Sequence, residues 1–285
     1  MPRPTESLAP VSSLPDSPSG LVRDCSYVLG YYGFIHTGLR LSSGMTVRHS
    51  AVLLVSADYT PFEVTLRGGK TVNAQALVVP PLVARTLSAD GVPLLSFNIF
   101  PSHRAFHIFC AMHHPGVVAL DRHAFNQLDD VLDAMVKGDA SFKQAEKVFE
   151  LAVAEATRQL PPALAPDPKA LDLIRLLDEN PKLSLDELAR LFGRSNAAMS
   201  RMFSQAVGMS LRDYQSWLRQ RRMYHLLYTH RSLTDVAHDA GYADSPQFSR
   251  TFSRWYGKSP SFSRDPRFVR VFMRDDDGAP DQDAG

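Results

Sequence analysis

Two stretches of this chain, 49 positions apart, are written in nearly the same twelve letters. Residues 199–210 read MSRMFSQAVGMS, and residues 248–259 read FSRTFSRWYGKS. Both have Ser-Arg at the second and third positions, Phe-Ser in the middle, and a Gly followed two positions later by Ser. Self-similarity of this kind indicates one small structural unit that is used twice.

The first copy contains the start and stop signals of two short helices. Ser184-Leu185-Asp186-Glu187 is a capping box, which begins a helix, and Gly193 suits the left-handed residue that ends one. Ser195 then caps a second helix, which we expect to run to about Val207 and to end at Gly208. Two short helices around a glycine-containing turn predict a helix-turn-helix.

The second copy has the same signals in the same order. Ser232-Leu233-Thr234-Asp235 begins its first helix, and Gly241 makes the turn. Ser245-Pro246 is expected to open the second helix with a cap and a first-turn proline, and Gly257 to close it. The offset between the copies is 48 up to Gly241 and 49 from Phe248 onward, so the second turn has one extra residue.

A single long helix is predicted between the two copies. Ser210 caps it, and its pattern continues to about Thr229, which gives a rod of roughly 28 Å at about 1.5 Å per residue. Successive major-groove faces of B-DNA lie about 34 Å apart. Two recognition helices on such a rod can enter adjacent grooves on one side of a duplex.

Residues 169–268 resemble the DNA-binding domain of the AraC/XylS family of bacterial transcription regulators. The resemblance lies in SLTDVAHDAGYADSPQFSRTFSRWYGKSP (232–260), with its Gly-x-Ser-Pro exit, together with the two copies and the connecting helix. It implies a cytoplasmic, sequence-specific regulator, expected to be an activator, that binds double-stranded operator or promoter DNA and RNA polymerase.

The charge distribution points to the same half of the chain. The net charge of the protein is +1, but residues 169–272 have a net charge of +7 whereas residues 1–168 have −2. A basic excess on a small domain suits a polyanion. No apolar run of about 18 residues is present, so no membrane partner is expected.

Exposed positions near the starts of the two second helices are the candidates for base contacts. Arginine suits guanine and glutamine suits adenine, although Arg201 and Arg250 could instead contact phosphate or their own domain. The candidates are Asn196, Ala197, Ser200, Arg201, Ser245, Gln247, Ser249 and Arg250. Because Ala197 and Ala198 have no polar group, we expect the second copy to carry at least as much base discrimination as the first.

Phosphate contacts are expected from basic residues beside these helices and from two helix N-termini. The candidates are Arg194, Arg254, Lys258, Ser210 and Ser259. Arg219, Arg221 and Arg222 on the connecting helix are given no DNA role, and Arg221 could pair with Asp213 or lie against Trp217.

The first half of the chain predicts a different class of domain. Short β-rich runs occupy residues 21 to about 100, and amphipathic helices are predicted at 124–136 and 142–158. The stretch ALVVPPLVARTL (76–87) resembles the corner of the cupin-like β-barrel that senses effectors in this family. The expected fold is therefore α+β, with a barrel and following helices before an all-α domain of two helix-turn-helix units.

The expected domain boundaries follow from composition. Residues 1–20 are rich in Pro and Ser and are expected to be a disordered arm. Residues 21–160 form the effector-binding and dimerisation domain, and PPALAPDP (161–168) is a proline-rich linker. Residues 169–272 are expected to be all helical, and 273–285 to be an acidic disordered tail.

Aromatic residues near the first strands are candidates for an effector pocket, with barrel core as the alternative. They are Tyr27, Tyr31, Tyr32 and Phe34, with His36. The helices predicted at 124–136 and 142–158 could form a homodimer interface or pack against the barrel. Both alternatives can be true, because different faces of the helices could make the two contacts.

No metal, cofactor or enzymatic chemistry is predicted. The strand around His49 lacks the His-x-His pair of metal cupins, and His36, His103 and His107 are scattered, while His113 and His114 adjoin in a loop. Cys25 and Cys110 suggest buried, inert thiols in a reducing compartment. Two alternatives remain: a DNA-binding regulator without a ligand switch, and a cupin enzyme fused to a DNA-binding module.

Overall fold

The computed structural model of the protein describes residues 23–112, 116–163 and 168–274. The predicted N-terminal arm, the His113-His114 pair, and the acidic tail from residue 275 onward lie outside the described residues.

Strands of the first half, joined by one strand near the C-terminal end, form two sheets. Strands β10, β7, β4, β9, β2, β1 and β11 make one sheet in that order, and β3, β8, β5 and β6 make the other. Their bounds are β1 Asp24–Val28, β2 Gly33–Arg40, β3 Ser43–Thr46, β4 Ala51–Ser56, β5 Phe62–Leu66, β6 Thr71–Ala74, β7 Ala76–Val79, β8 Arg85–Ser88, β9 Asp90–Ile99, β10 Val118–Ala119 and β11 Val269–Met273.

An apolar core fills the space between the two sheets. Val52 and Leu54 of β4 and Leu94 of β9 pack with Phe62 and Val64 of β5 in one buried cluster. The alternate residues of β4 and β9 face the other way and join a second cluster with the helices. Strands β4 and β9 are buried on both faces, and this explains why their sequences are nearly continuous apolar runs. Such runs are the basis on which strands were predicted in this region.

Helices after the sheets cover the outer face of the larger one. They are α1 Phe106–Cys110, a 3-10 helix Arg122–Leu128, α2 Asp129–Lys137 and α3 Phe142–Arg158. Phe149 of α3 lies against Phe97 of β9, with ring centroids 6.3 Å apart, so packing against the sheet is confirmed for this face. The homodimer seam stays a prediction.

The second half contains the predicted helices. They are α4 Pro168–Glu179, α5 Leu185–Leu191, α6 Asn196–Val207, α7 Leu211–Leu227, α8 Leu233–Asp239, α9 Ser245–Tyr256 and α10 Pro260–Arg264. The α+β architecture is confirmed, with a β-rich region followed by a helical one. None of the described helices is both long and apolar enough to span a bilayer.

The prediction that residues 169–272 are all helical is wrong at its C-terminal end. Strand β11 pairs in parallel with β1, with Val269 opposite Asp24 and Met273 opposite Val28. Phe272 stacks on Tyr27 with ring centroids 4.4 Å apart. The chain therefore returns from the helical region to the first sheet, and Met273, predicted to begin the tail, ends a strand.

The histidines and cysteines have local structural roles. His49 Nδ1 lies 2.8 Å from Gln220 Oε1, His103 Nε2 lies 3.2 Å from Glu150 Oε1, and His36 lies 3.5 Å from a carboxylate. His107 Nδ1 bonds a backbone oxygen at 2.9 Å. Among the described residues, no group of three His, Cys, Asp or Glu side chains is placed to hold a metal ion. Burial raises the pKa of Cys25 to about 11 and that of Cys110 to about 12.

Candidate nucleic-acid interface

The two repeats form two helix-turn-helix units. Helices α5 and α6 make the first unit, and α8 and α9 make the second. The N-caps of α5 and α8 are Ser184 and Ser232, 48 positions apart, whereas α6 and α9 begin at Asn196 and Ser245, 49 positions apart. The extra residue in the second turn is therefore confirmed.

The N-cap of α9 differs from the one predicted. Asp244, not Ser245, caps the helix, and its Oδ1 accepts a bond from Gln247 N at 2.6 Å. Gln247 Oε1 in turn accepts a bond from Ala243 N at 2.9 Å. Ser245 therefore takes the first helical position, and a carboxylate satisfies the free N–H groups as well as a hydroxyl would.

Arg201 and Arg250 occupy equivalent places on α6 and α9. Both side chains are exposed, opposite a buried face that includes Phe203 and Phe252. Within the described part of the chain, neither arginine has a salt bridge or a side-chain hydrogen bond. The structure therefore shows no polar contact of either side chain with the described residues of its own domain. Two unengaged guanidinium groups thus project from matching positions.

The remaining base-contact candidates are less uniform. Ser200 and Ala197 are exposed and Ser249 is half-buried, while the amide of Asn196 donates to the Asp186 carboxylate. The offset of 49 places Pro246 opposite Ala197, and Gln247 opposite Ala198. Gln247 is therefore the one polar candidate without a polar counterpart in the first unit, and it is exposed.

The phosphate candidates divide into two groups. Arg194 and Arg254 are exposed, and Ser210 and Ser259 are the N-caps of α7 and α10. Lys258 instead lines a cavity between the two halves of the protein, with its Nζ 5.3 Å from the ring centroid of Phe262. That position was not evident from sequence, because the cavity wall is formed by residues far apart along the chain.

Helix α7 joins the two units as the predicted rod. Its 17 residues span about 26 Å at about 1.5 Å per residue. Arg221 lies 4.9 Å from the Trp217 ring centroid, as one of the alternatives predicted. It forms an ion pair with Asp178, with 3.1 Å between Nη2 and Oδ1, rather than with Asp213. Asp213 is instead engaged by the capping hydroxyl of Ser210 at 2.5 Å.

The β-rich region holds the C-terminal end of recognition helix α9. Val47 N donates to Arg254 O at 3.1 Å, and Arg48 Nε donates to Trp255 O at 2.9 Å. These carbonyls have no partner inside the helix, and a cation is favourable at that end of the helix dipole. Gln220 Nε2 also donates to the hydroxyl of Tyr256, at 2.5 Å.

A cavity of about 60 Å³ lies where the second unit meets the β-rich region. Strand residues and helix residues line it together, among them Ser26, Arg48, Ser96, Tyr228, Tyr256 and Lys258. Apart from Phe34 and His36, its wall was not predicted as a pocket from sequence, although Arg48, a cation just before the apolar run 51–55, is a signal that could have been followed.

The five predicted pocket residues do not share this cavity. Phe34 and His36 line it, and Phe34 stacks on Tyr224 with ring centroids 4.7 Å apart. Tyr27 is fully buried against β11, whereas Tyr31 and Tyr32 are 44% and 52% exposed. Tyr31 donates to Asp178 Oδ2 of α4 at 2.5 Å.

Comparison with known proteins agrees with this arrangement. A family model described as a helix-turn-helix domain matches residues 188–265. The regulatory protein SoxS of Escherichia coli strain K12 is 36% identical over 96 residues, which make up 32% of this chain and 87% of SoxS.

Solved structures with a similar fold include ToxT from Vibrio cholerae. ToxT of strain O395 has a TM-score of 0.50 and 10% identity, covering 84% of this chain and 95% of ToxT. ToxT of strain SCE256, solved with an unsaturated fatty acid bound, has a TM-score of 0.50 and 8% identity, covering 90% of this chain and all of that one. At these identities the likeness shows the fold.

Two helix-turn-helix units on a connecting helix, behind a β-rich region, define a DNA-binding transcription regulator. The chain belongs to the AraC/XylS family of transcriptional regulators.

Proposed function

We propose that this regulator reads two adjacent major grooves of one DNA site, with α6 in one groove and α9 in the next. The carrying observation is the pair Arg201 and Arg250, exposed and unengaged within the described residues at matching positions. A rod of about 26 Å between the units suits grooves about 34 Å apart, since each helix reaches outward from the rod.

Selection from a random duplex pool tests this reading. The full-length protein, at physiological salt, is expected to enrich two short blocks about one helical turn apart. Arg201→Ala should erase one block and Arg250→Ala the other, with Arg67→Ala, an exposed arginine of the β-rich region, as the matched control. Retention of DNA without any enriched block would refute sequence-specific reading.

We propose further that the β-rich region senses a small molecule in the cavity. The support is its position: Arg48 lines the cavity and also donates to the Trp255 carbonyl near the end of α9, so an occupant would touch a residue that holds a recognition helix. The fatty acid bound to ToxT of the same fold is compatible with a sensing role. Here the role is regulatory, not catalytic.

Activation through RNA polymerase, a homodimer and a cytoplasmic location are part of the proposal. Leu151 on α3 is 37% exposed and offers one apolar position for a dimer contact. In vitro transcription from the selected site tests activation, and sedimentation of the protein–DNA complex tests its stoichiometry. A drop in transcript on adding the protein would show repression instead.

A further inference from the structure

Two arginines on adjoining segments of the β-rich region have no acidic partner among the described residues. Arg85 of β8 is only 4% exposed, and Arg48 follows β3. Their backbones adjoin, because Thr46 is paired with Arg85 and Leu82 N donates to Arg48 O at 2.7 Å. Within the described ranges, no carboxylate lies within 4.0 Å of either guanidinium.

The partners of Arg48 are all neutral. Its Nη1 donates to Asn98 Oδ1 at 2.6 Å and to Ser96 Oγ at 3.4 Å, and its Nε donates to Trp255 O. The guanidinium of Arg85 has no hydrogen bond within the described part of the chain. Burial, together with the nearby charge of Arg48, lowers the pKa of Arg85.

Such a pair is costly unless an anion accompanies it. A guanidinium does not lose its proton in a protein, so Arg85 cannot escape the cost by becoming neutral. Buried charges are therefore paired or bound to a counter-ion. The carboxylate of Asp24 on nearby β1 does not pair with either arginine, because its Oδ2 lies 3.5 Å from His36 Nε2.

The cavity is lined by Arg48 but not by Arg85. Leu87, two residues after Arg85 on the same face of β8, is in its wall, so Arg85 lies next to the cavity. Ser26, Tyr228 and Lys258 are also in its wall. At about 60 Å³, against the roughly 10–15 Å³ that one water molecule needs on the same measure, the cavity has room for a small ion.

We propose that a small oxyanion, such as a short-chain carboxylate or a phosphate, binds at Arg48 in this cavity and offsets the charges of Arg48 and Arg85. This inference rests on the proposed sensing function and names the chemical class of its effector. Because Arg48 also bonds Trp255 O, the bound anion acts on the group that caps α9.

Thermal unfolding of the full-length protein tests the proposal. The probes are sodium formate, acetate and phosphate, and oleate as the long-chain carboxylate, each compared with sodium chloride at equal ionic strength. At a hundredfold excess over Kd, a bound oxyanion should raise the Tm by about 5 °C. The rise should persist in Arg67→Gln, a variant of an exposed turn arginine, and be lost in Arg48→Gln and Arg85→Met.

Arg85→Met also gives a readout that does not depend on any probe. In chloride its Tm should equal or exceed that of the unaltered protein, because an uncompensated buried charge is replaced by an apolar side chain of similar length. A Tm several degrees lower would show that Arg85 is a structural residue and would overturn the proposal.

The remaining outcomes are equally decisive. A rise with acetate only or phosphate only identifies the source of the oxyanion, and a rise with oleate only overturns the assignment to a small ion. If no probe changes the Tm while the protein still enriches its DNA blocks, this inference fails and the DNA-reading function stands. If the blocks themselves are missing, the proposed function fails.

Discussion

Strand β11 offers the sharpest perturbation of the contact between the two halves. Asp24 N donates to Phe268 O at 3.0 Å, which fixes the phase of the parallel ladder. The alternation of such a ladder then directs the N–H of Arg270 toward β1 and the N–H of Val271 toward the open edge of the sheet. Arg270→Pro and Val271→Pro are therefore a matched pair.

Arg270→Pro should open the β1–β11 pairing. It removes one ladder bond, about 1 kcal/mol, and leaves the Asp24 carbonyl without its partner at about 1–3 kcal/mol, so we expect a local loss of about 2–4 kcal/mol. Hydrogen exchange at the amides of Ser26 and Val28 should then quicken by about 30- to 700-fold. Val271→Pro should change it by less than about tenfold, because proline is tolerated where the N–H faces outward.

A side-chain control separates the ladder from the arginine itself. Arg270 Nη1 donates to Gly138 O at 3.0 Å, and Arg270→Ala removes that bond while keeping the backbone N–H. In Arg270→Ala, hydrogen exchange at the amides of Ser26 and Val28 should be closer to that of the unaltered chain than to that of Arg270→Pro. Equal effects of the two prolines, or unchanged exchange in Arg270→Pro, would refute the register and the role of β11 as an anchor.

Three further predictions concern the helical units and their contact with the sheets. Arg201→Ala and Arg250→Ala should each weaken binding to the selected site by about 5- to 150-fold in fluorescence anisotropy, the loss for one bidentate guanine contact; similar losses on random DNA would indicate phosphate contacts. Asp244→Ala removes the α9 cap and should lower stability by about 1 kcal/mol in urea unfolding, whereas no change would mean that the cap is replaced. Burial lowers the pKa of His49, so the unfolded chain binds more protons just below its ordinary value, and stability should fall as pH falls below about 6.5. His103 has the same direction of shift, so His49→Asn should flatten this dependence only in part, and an unchanged profile would contradict the assignment.

Local signals made the helix-turn-helix units predictable from sequence. A helix cap depends only on residues a few positions away, so its signal can be read from the local sequence. This holds for the N-cap serines Ser184 and Ser232 and for the left-handed C-cap glycines Gly208 and Gly257. The one local error, Ser245 for Asp244, arose because two adjacent residues can both cap a helix. Strand Phe62–Leu66 was likewise evident from its composition.

Long-range pairing could not be predicted in the same way. Val269–Met273 is short, and what makes it a strand is β1, more than 240 residues earlier. The same reason hid the cavity, since Arg48 and Lys258 are brought together only by the docking of the second unit. The aromatic cluster at 27–34 was predicted as one pocket, but alternation along β1 and β2 sends Tyr27 and Phe34 to different places.

The central claim is that one chain reads two grooves through units held at a fixed separation by α7. Its most direct test is the affinity for duplexes in which 5 or 10 base pairs are inserted between the two selected blocks. Both insertions should reduce binding to the level of a single block, because a rod of about 26 Å cannot follow the displaced groove. Affinity that is unchanged by either insertion, or restored at 10 base pairs, would contradict two-groove reading by a rigid chain.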